Sequence, residues 1–476
     1  MTKVPYRPLA PRFHILGPGG IGSLFAYYFH RHQIPFTLFQ RKAPPPLPPS
    51  LSNKTNSNTP PTLKYMNLTA LDTASVEPQV VDGVDWEPLY PIIDKELFRY
   101  DPVYNELSRS PIHRLLVTTK TYQTVEAISK VRHRLRPWTT IVLMQNGMGV
   151  REEICESMGW TDNDAERPNF VQGIISHGAQ KMGDTIVHTG RGHVWLAPIV
   201  DTHPVISGTT KDKQDPSTPG EKSILQKPQP KLDSETLADI DALLPKPDDG
   251  SLFPTLQEPS KTVRSTKYPY TNPSTFIAPF TNAPFSSFYV QPSSSEELRN
   301  LRTRSLYETL AAFQLLSTDM DLKILMPEHL LALQFSKLVV NACVNPVATL
   351  LEATNGTLLD SAEANQAVKD LIKECLSILS HSKEFQALDE PLRNEFLTLE
   401  TLTETTEAIL RATKSNRCST LQDYLKGSQQ CEIDYMNGYL IKMAERCGRA
   451  APLNKMVTEK VKDKFASPRK NPTPVE

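Results

Sequence analysis

The sequence predicts two folded parts, an α/β domain with a mainly parallel sheet followed by an all-α domain. The first part is predicted because short apolar runs alternate with helical patterns up to about residue 200, and one of these runs leads into a glycine-rich turn. The second is predicted because apolar residues recur at helical spacing from about residue 295 onwards. We therefore expect domains at residues 1–200 and 295–476, separated by residues 201–294.

The glycine-rich turn follows the first apolar run, Phe13–Leu16, and precedes a helical pattern at residues 23–31. Its G-x-G-x-x-G spacing is formed by Gly17, Pro18, Gly19, Gly20, Ile21 and Gly22. In a dinucleotide-binding turn these glycines allow a tight turn, close approach of the pyrophosphate and close packing of helix on strand, while the helix N-terminus offers N–H groups. Because the motif has the strand and helix it requires, we expect a Rossmann-like dinucleotide site here. The alternative is an ordinary glycine turn.

The end of the second apolar run, at residues 35–39, indicates which dinucleotide would bind. NAD-binding folds usually carry an acidic residue at this point, where it binds the ribose 2′-hydroxyl. This chain has Gln40, Arg41 and Lys42 instead. Because the two basic residues suit a 2′-phosphate, we expect NADP as the cofactor, with Arg41 as its 2′-phosphate ligand. The alternative is a solvated, basic strand end.

Composition argues against several kinds of partner. The net charge of −1 gives no global basic field for nucleic acid or an anionic membrane. The six cysteines are scattered without a C-x-x-C pair, as expected for reduced intracellular thiols. We expect no metal, no membrane segment and no nucleic acid. The expected location is the cytoplasm, with the mitochondrion as the alternative.

Proline marks two segments that are expected to be insertions. About half of the 41 prolines lie at residues 43–61 and 204–292, among Ser, Thr and Lys. Such segments cannot bury enough apolar surface to offset the entropy lost on ordering. We therefore expect a proline-rich insertion at 43–61 and a low-complexity, mostly disordered insertion at 201–294.

Two further apolar runs end in polar residues. One ends at Lys120, and the other leads into Gln145-Asn146-Gly147. Ligands on doubly wound sheets lie beyond the carboxyl ends of the strands, so Lys120 and Asn146 are expected at the ligand site. The alternatives are a solvated strand cap and an ordinary turn.

Residues 170–197 alternate as strands do and are expected to close the sheet with antiparallel strands, with His188 as a strand side chain.

The all-α domain contains a polar stripe in apolar surroundings. Helices are predicted at residues 296–316, 327–353, 361–382, 389–413 and 429–447. Lys337, Asn341 and Asn345 are spaced four residues apart and therefore share one helix face. A buried ammonium without a partner is costly, which favours a functional role for Lys337; a stripe facing water is the alternative. Pro346 is expected to end or bend this helix.

Taken together, these motifs resemble the ketopantoate reductase (2-dehydropantoate 2-reductase) family. The residues that carry the resemblance are 17–22 and Arg41, Thr119-Lys120, Gln145-Asn146-Gly147, Lys337 with Asn341 and Asn345, Asn355-Gly356, Ser419-Thr420-Leu421-Gln422-Asp423, and Glu432-Ile433-Asp434-Tyr435-Met436-Asn437-Gly438. The resemblance implies reduction of the 2-keto group of ketopantoate by NADPH to give pantoate, a precursor of pantothenate and coenzyme A. A monomer or homodimer is expected.

The resemblance also implies a role for each site residue. Lys337 matches the general acid, and Glu432 matches a glutamate that orients the substrate and the lysine. The implied substrate contacts are Asn341, Asn345 and Ser419, with Lys120 and Asn146 beside both cofactor and substrate.

One spacing departs from the family pattern, because the interval from Asp423 to Glu432 is one residue longer than is common. A loop near Gly427-Ser428 can absorb the extra residue and leave Glu432 in place. If it does not, Glu432 turns away by about 100°.

Three hypotheses remain open. The chain is a ketopantoate reductase, a reductase of another 2-keto acid, or a non-catalytic NADP-binding relative that acts through partners.

Overall fold

The structure is a computed structural model that describes residues 12–40, 63–67, 79–81, 84–88, 110–161, 166–199 and 294–467. Arg41 and the predicted insertions at 43–61 and 201–294 lie outside the described residues, apart from Ser294. The strands are β1 (Phe13–Leu16), β2 (Phe36–Gln40), β3 (Leu63–Asn67), β4 (Gln79–Val81), β5 (Asp85–Pro88), β6 (Arg114–Val117), β7 (Thr140–Leu143), β8 (Asn169–Ile175), β9 (Gly178–Met182), β10 (Thr185–Gly190), β11 (Val194–Ile199) and β12 (Leu322–Ile324). The α-helices are α1 (Gly20–Arg31), α2 (Thr124–Val131), α3 (Val150–Met158), α4 (Ser295–Gln314), α5 (Ser317–Met320), α6 (Pro327–Leu351), α7 (Asn355–Asp360), α8 (Ala362–Leu379), α9 (Lys383–Gln386), α10 (Glu390–Phe396), α11 (Leu399–Ala412), α12 (Ser419–Leu425), α13 (Asn437–Arg446) and α14 (Pro452–Ala466).

Eight strands form the main sheet in the order β12-β11-β8-β7-β6-β1-β2-β5. Six neighbouring strands pair in parallel, in the sheet order β8-β7-β6-β1-β2-β5. Strand β11 pairs antiparallel with β8. The side chains of β1, β6 and β7 are all buried, as expected for a parallel sheet covered on both faces. Apolar residues of α1 and α4 cover one face, and those of α2 and α3 cover the other. The predicted α/β class of the first domain is confirmed.

The prediction that residues 170–197 close the sheet with antiparallel strands is correct for β11 and wrong for the rest. Strand β8 joins the sheet in parallel, whereas β9 and β10 belong to a second sheet with the order β4-β3-β10-β9. An alternating pattern shows that a strand has one buried face, but it does not identify the strand's neighbour. The second sheet packs on α1, where the Tyr27 ring stacks on Tyr65 of β3 at 3.6 Å between centroids.

Helix α4 lies on the main sheet, although its pattern suggested that it belonged to the helical domain. Phe313 packs edge-on against Phe13 of β1 at 5.3 Å and against Phe25 of α1 at 5.7 Å. Glu308 accepts a 2.6 Å hydrogen bond from the buried Arg114 of β6. Strand β12 follows α4 and pairs with β11. Periodicity identifies the apolar face of a helix and not its partner, so these contacts favour a domain boundary near residue 326 rather than 295.

Helix α6 forms the centre of the helical domain. Its apolar residues share one core with those of α8, α13 and α14. Of the two effects expected of Pro346, an end or a bend of the helix, the end does not occur, because α6 continues to Leu351. Proline removes the N–H that would bind the carbonyl of Ala342, but Asn437 Nδ2 donates to that carbonyl at 2.8 Å instead.

Two other predicted helices differ in their bounds. The predicted 389–413 helix is divided into α10 and α11, because Thr398 caps the start of the second by accepting a hydrogen bond from Thr401 N–H. The predicted 429–447 helix begins later, with a 3₁₀ turn at Glu432–Tyr435 followed by α13.

Helix α6 is also long and apolar enough to cross a membrane by length and composition, but 72% of its apolar window is buried inside the protein. Core helices pass the same test. Within the described ranges, no group of three or more His, Cys, Asp or Glu side chains could hold a metal ion.

Candidate active site

The predicted dinucleotide turn joins β1 to α1 and has a tightly constrained backbone. Gly17 has φ +99°, and a Cβ there would lie 2.6 Å from the Thr119 nitrogen. A Cβ at Gly22 would lie 2.4 Å from the Gly17 carbonyl oxygen. Thr118 Oγ1 donates to the same carbonyl at 2.7 Å and fixes the turn against β6. Both glycines are therefore required for packing, as the motif predicts.

The middle glycine has a different environment. A Cβ built at Gly19 meets no heavy atom within 4 Å, so this side of the turn faces open space. Gly19 is also the N-cap of α1, and the first-turn N–H groups of a helix have no acceptors within the helix. An open glycine at a helix N-terminus is suited to the pyrophosphate of a dinucleotide. The residues present therefore fit the pyrophosphate of the expected dinucleotide.

Lys120 and Asn146 follow the neighbouring strands β6 and β7 and lie at the carboxyl ends of the sheet strands, as the glycine turn does. Lys120 follows β6, and its Nζ donates to Asp423 Oδ2 of α12 at 2.7 Å. Burial acts to lower the pKa of Lys120, but the charges of Glu432 and Asp423 outweigh it and raise the pKa. Burial raises the pKa of Asp423, against the opposing charge of Lys120. This ion pair connects the sheet to the helical domain.

Glu432 lies at the centre of the contacts between the two parts. Its side chain is buried, and Oε1 accepts from the Thr121 N–H at 3.0 Å and from Thr121 Oγ1 at 2.8 Å. Asn146, which follows β7, donates from Nδ2 to Glu432 Oε2 at 3.4 Å. In the loop after α12, Gly427 has φ +77°. Glu432 faces Thr121 and Asn146 in this structure and does not turn away from them.

Lys337 reaches the same edge from α6. The side chain is partly buried, and its Nζ donates to the carbonyl of Ile175, at the end of β8, at 2.7 Å. Burial lowers the pKa of Lys337 to about 8, while the charge of Glu432 acts to raise it. An ammonium with a pKa near 8 can give up its proton at physiological pH much more readily than an exposed lysine.

The three remaining predicted residues lie along α6 and at the start of α12. Asn341 is half-buried on α6, one helical turn beyond Lys337. Asn345 is buried, and its carbonyl accepts from Cys418 Sγ at 3.6 Å. Ser419 is exposed and follows Cys418 at the start of α12.

Two neighbours of the site were missed in the sequence. Thr121 holds Glu432 through two hydrogen bonds, and Asp423 pairs with Lys120. Asp423 belongs to the Ser419–Asp423 motif, which was a usable signal. No signal was available for Thr121, because its role depends on a residue that is far away in the sequence.

This fold and site define a class of protein, the dinucleotide-binding reductases that have a Rossmann-like domain and a helical domain. The helical domain contributes a lysine, here Lys337, to the site beside the sheet. The family model "Ketopantoate reductase PanE/ApbA" matches residues 90–201, and "Ketopantoate reductase PanE/ApbA C terminal" matches residues 329–465. The two matches cover more than half of the chain. The chain belongs to the ketopantoate reductase family.

Proteins from two yeasts are similar to a larger part of the chain than the two family models cover. The chain is 26% identical to the "Probable 2-dehydropantoate 2-reductase" of Schizosaccharomyces pombe, over 74% of this chain and 73% of that protein. It is 25% identical to the "2-dehydropantoate 2-reductase" of Saccharomyces cerevisiae, over 71% of this chain and 69% of that protein.

Solved structures share the fold at lower identity. The probable 2-dehydropantoate 2-reductase of Bacillus subtilis has a TM-score of 0.50 at 19% identity, covering 95% of this chain and 99% of that one. A ternary structure of D-mandelate dehydrogenase with NADH and anilino(oxo)acetate has a TM-score of 0.52 at 13% identity, covering 95% and 98%.

Proposed function

We propose that this protein reduces 2-dehydropantoate to pantoate with NADPH. The observation that carries the proposal is the position of Lys337, whose ammonium lies at the end of β8. Strands β1, β6, β7 and β8 are neighbours, so this lysine lies at the same sheet edge as the glycine turn, Lys120 and Asn146. The names of the two yeast relatives support the choice of substrate.

In this proposal Lys337 is the proton donor. When bound, NADPH supplies the hydride that reduces the keto carbon, and the keto oxygen then needs a proton. Lys337 Nζ donates in the resting state to the carbonyl of Ile175. A substrate oxygen that replaces this carbonyl would receive the same hydrogen bond and then the proton. The positive charge also stabilises the alkoxide before proton transfer.

The other predicted residues bind and orient. Glu432 is held by Thr121 and Asn146, and from there its charge keeps Lys337 protonated more than burial alone would allow. Asn341, Asn345 and Ser419 are proposed to bind the carboxylate and hydroxyl of the substrate as neutral donors. We propose that Lys120 and Asn146 lie beside the cofactor and substrate, where Lys120 is pre-positioned by Asp423.

The second candidate is a reductase of another 2-keto acid, because the same fold occurs in a D-mandelate dehydrogenase. The test is oxidation of NADPH in the presence of 2-dehydropantoate and of a panel of other 2-keto acids. The highest kcat/KM with 2-dehydropantoate is expected. A higher value with another acid favours the second candidate. Cofactor binding without turnover of any acid favours a non-catalytic protein that acts through partners.

The assembly is proposed to be a monomer or homodimer.

The proposed preference for NADP depends on Arg41. We expect Arg41→Ala to raise the KM for NADPH and leave that for NADH nearly unchanged, because it removes a charge-assisted contact of roughly 1.5–3 kcal/mol to the 2′-phosphate. Steady-state kinetics with both cofactors checks this, with Arg41→Lys as the charge-conserving control. Equal use of NADPH and NADH by the unmodified protein would contradict the assignment.

A further inference from the structure

Strand β9 of the second sheet lies directly against the dinucleotide turn. A Cβ built at Gly20, the first residue of α1, would lie 2.1 Å from the carbonyl oxygen of Ala179 in β9. Ala179 is itself packed against the core that includes α1. The second sheet therefore forms a wall beside the turn, and its position is fixed by backbone contact as well as by side chains.

Lys181 projects from this wall toward the turn. It is two residues after Ala179, and alternate residues of a strand point to the same side of the sheet. Its Nζ donates to the carbonyl of Pro18 at 3.0 Å. Pro18 lies between Gly17 and Gly19, so the ammonium contacts the backbone of the dinucleotide turn itself.

The surroundings of Lys181 favour an anionic ligand. The side chain is partly buried, and burial lowers its pKa, while the charge of Asp184 acts to raise it. Asp184 itself forms an ion pair with Lys64, at 3.3 Å between Nζ and Oδ2. Part of the hydration of the Lys181 ammonium is thus already lost in the folded protein. Such a cation interacts more strongly with a nearby anion than a fully solvated lysine does, because the effective dielectric constant is lower.

We propose that Lys181 is a ligand of the cofactor's diphosphate, acting together with the glycine turn. The proposal rests on the proposed function of the turn as a dinucleotide site. It gives Lys181 a different task from Arg41, because NADPH and NADH both contain the diphosphate and differ at the 2′-phosphate. Lys181 therefore contributes equally to the binding of both cofactors, whereas Arg41 selects between them.

The test compares dissociation constants by fluorescence titration with NADPH and with NADH. Lys181→Met keeps the length of the side chain and removes the charge. We expect the Kd of both cofactors to rise by the same factor, about 10-fold or more, the size of one charge-assisted hydrogen bond. The dependence of Kd on salt should weaken, because one screened charge is lost. Lys181→Arg should restore most of the affinity, and the Tm without cofactor should stay close to that of the unmodified protein.

The matched control is Lys323→Met, which removes the charge of an exposed lysine in β12, at the edge of the main sheet. Neither Kd should change. If Lys181→Met is insoluble, Lys181→Gln replaces it. Unchanged affinity for both cofactors overturns the proposal, and so does a loss confined to NADPH. A loss that Arg does not restore, with an unchanged salt dependence, means that Lys181 only supports the Pro18 carbonyl. If the unmodified protein binds neither cofactor, the proposed function itself is wrong, whatever the effect of the Lys181 variants.

Discussion

Lys337 and Glu432 form the pair of residues on which the proposed chemistry depends. Burial makes the lysine a better acid by lowering its pKa to about 8, and Glu432 limits that shift. The glutamate is itself held by Thr121 and Asn146. A proton donor must still carry its proton at the working pH, so the two opposing effects keep Lys337 both protonated and able to donate.

Replacing Lys337 should remove most of the activity without removing the cofactor site. Loss of a general acid typically costs about 10²–10⁴-fold in rate, and loss of an electrostatic donor about 10²–10³-fold. The two contributions overlap, so we expect kcat of Lys337→Ala to fall by roughly 10³–10⁴-fold. Titration with NADPH serves as the control for folding. A variant that binds NADPH and keeps more than about a tenth of the rate would show that the proton comes from elsewhere.

The same pair predicts the pH dependence of the reaction. Because the protonated lysine is the acid, kcat/KM should fall as the pH rises through about 8. Glu432→Gln removes the charge that raises the pKa of Lys337, so this limb of the profile should move to lower pH. Asp434→Asn, on the same 3₁₀ turn but half-exposed and paired with Lys462, is the control. A limb that stays in place in Glu432→Gln would contradict the coupling.

The sequence was informative at the residue scale wherever the signal was local. The glycine turn has a fixed spacing, and the stripe of Lys337, Asn341 and Asn345 follows from helix geometry, so both could be found without a structure. Lys181 could not be found in this way. Its position near Pro18 depends on the packing of a second sheet against α1, and no pattern within β9 specifies that packing.

At the scale of elements, α6 shows how a tertiary contact overrides a local rule. Pro346 deprives the carbonyl of Ala342 of its helical donor, and the buried side chain of Asn437 supplies another. Asn437 also donates to Asn454 Oδ1 at 2.9 Å, which places it between α6 and α14. Pro346 taken alone indicates an end or a bend of the helix, and the end does not occur.

This replacement predicts coupling between the two positions. Asn437→Leu should lower the free energy of unfolding by about 1–3 kcal/mol, because it leaves a buried carbonyl without a donor. Pro346→Ala restores a backbone N–H at that position, so it should recover part of the loss in the double variant. We expect a coupling energy of about 1 kcal/mol from urea unfolding of the four proteins. Strictly additive effects would mean that Asn437 acts through Asn454 alone.

A buried pair of histidines, His188 of β10 and His177 just before β9, has hydrogen bonds that fix the protonation of both rings. The Gly192 N–H donates to His177 Nδ1, and His177 Nε2 donates to the carbonyl of Met320 at 2.9 Å. His188 Nε2 therefore donates to His177 Nδ1 at 3.0 Å, and His188 Nδ1 accepts from Tyr65 at 3.1 Å. Both rings are neutral in this arrangement.

The histidine pair should make the protein less stable in mild acid. Burial and the neighbouring His177 lower the pKa of His188 to about 4, whereas an unfolded histidine titrates near 6.5. The unfolded state therefore takes up the proton first, and the stability from this group is lost as the pH falls from about 6.5 toward 4. Between pH 7 and 5 we expect a loss of about 2 kcal/mol that His188→Gln does not show. Urea unfolding at both pH values checks this, and equal pH dependence in the two proteins would contradict it.

At the scale of the whole molecule, the two domain types could be predicted, but the packing of α4 could not. Helix α4 looks like part of a helical domain, and contacts such as those with Phe13 and Arg114 assign it to the sheet. A long connection between β11 and α4 separates two pieces of one core in the sequence. This separation explains why the sequence pattern groups α4 with the helices that follow it, whereas its contacts lie on the sheet.

The same connection gives the last prediction. Residues 207–265 have no apolar pattern that would form a core, and the closure entropy of a long loop changes only by about 0.6 kcal/mol for each halving of its length. Deleting them should therefore leave Tm and kcat/KM close to those of the full chain. A variant in which a Gly/Ser segment of equal length replaces these residues is the control, because it keeps the loop length and removes the sequence. Loss of soluble protein in both variants would show that the native segment packs on the fold. Loss in the deletion alone would show that the ends of β11 and α4 need the longer connection.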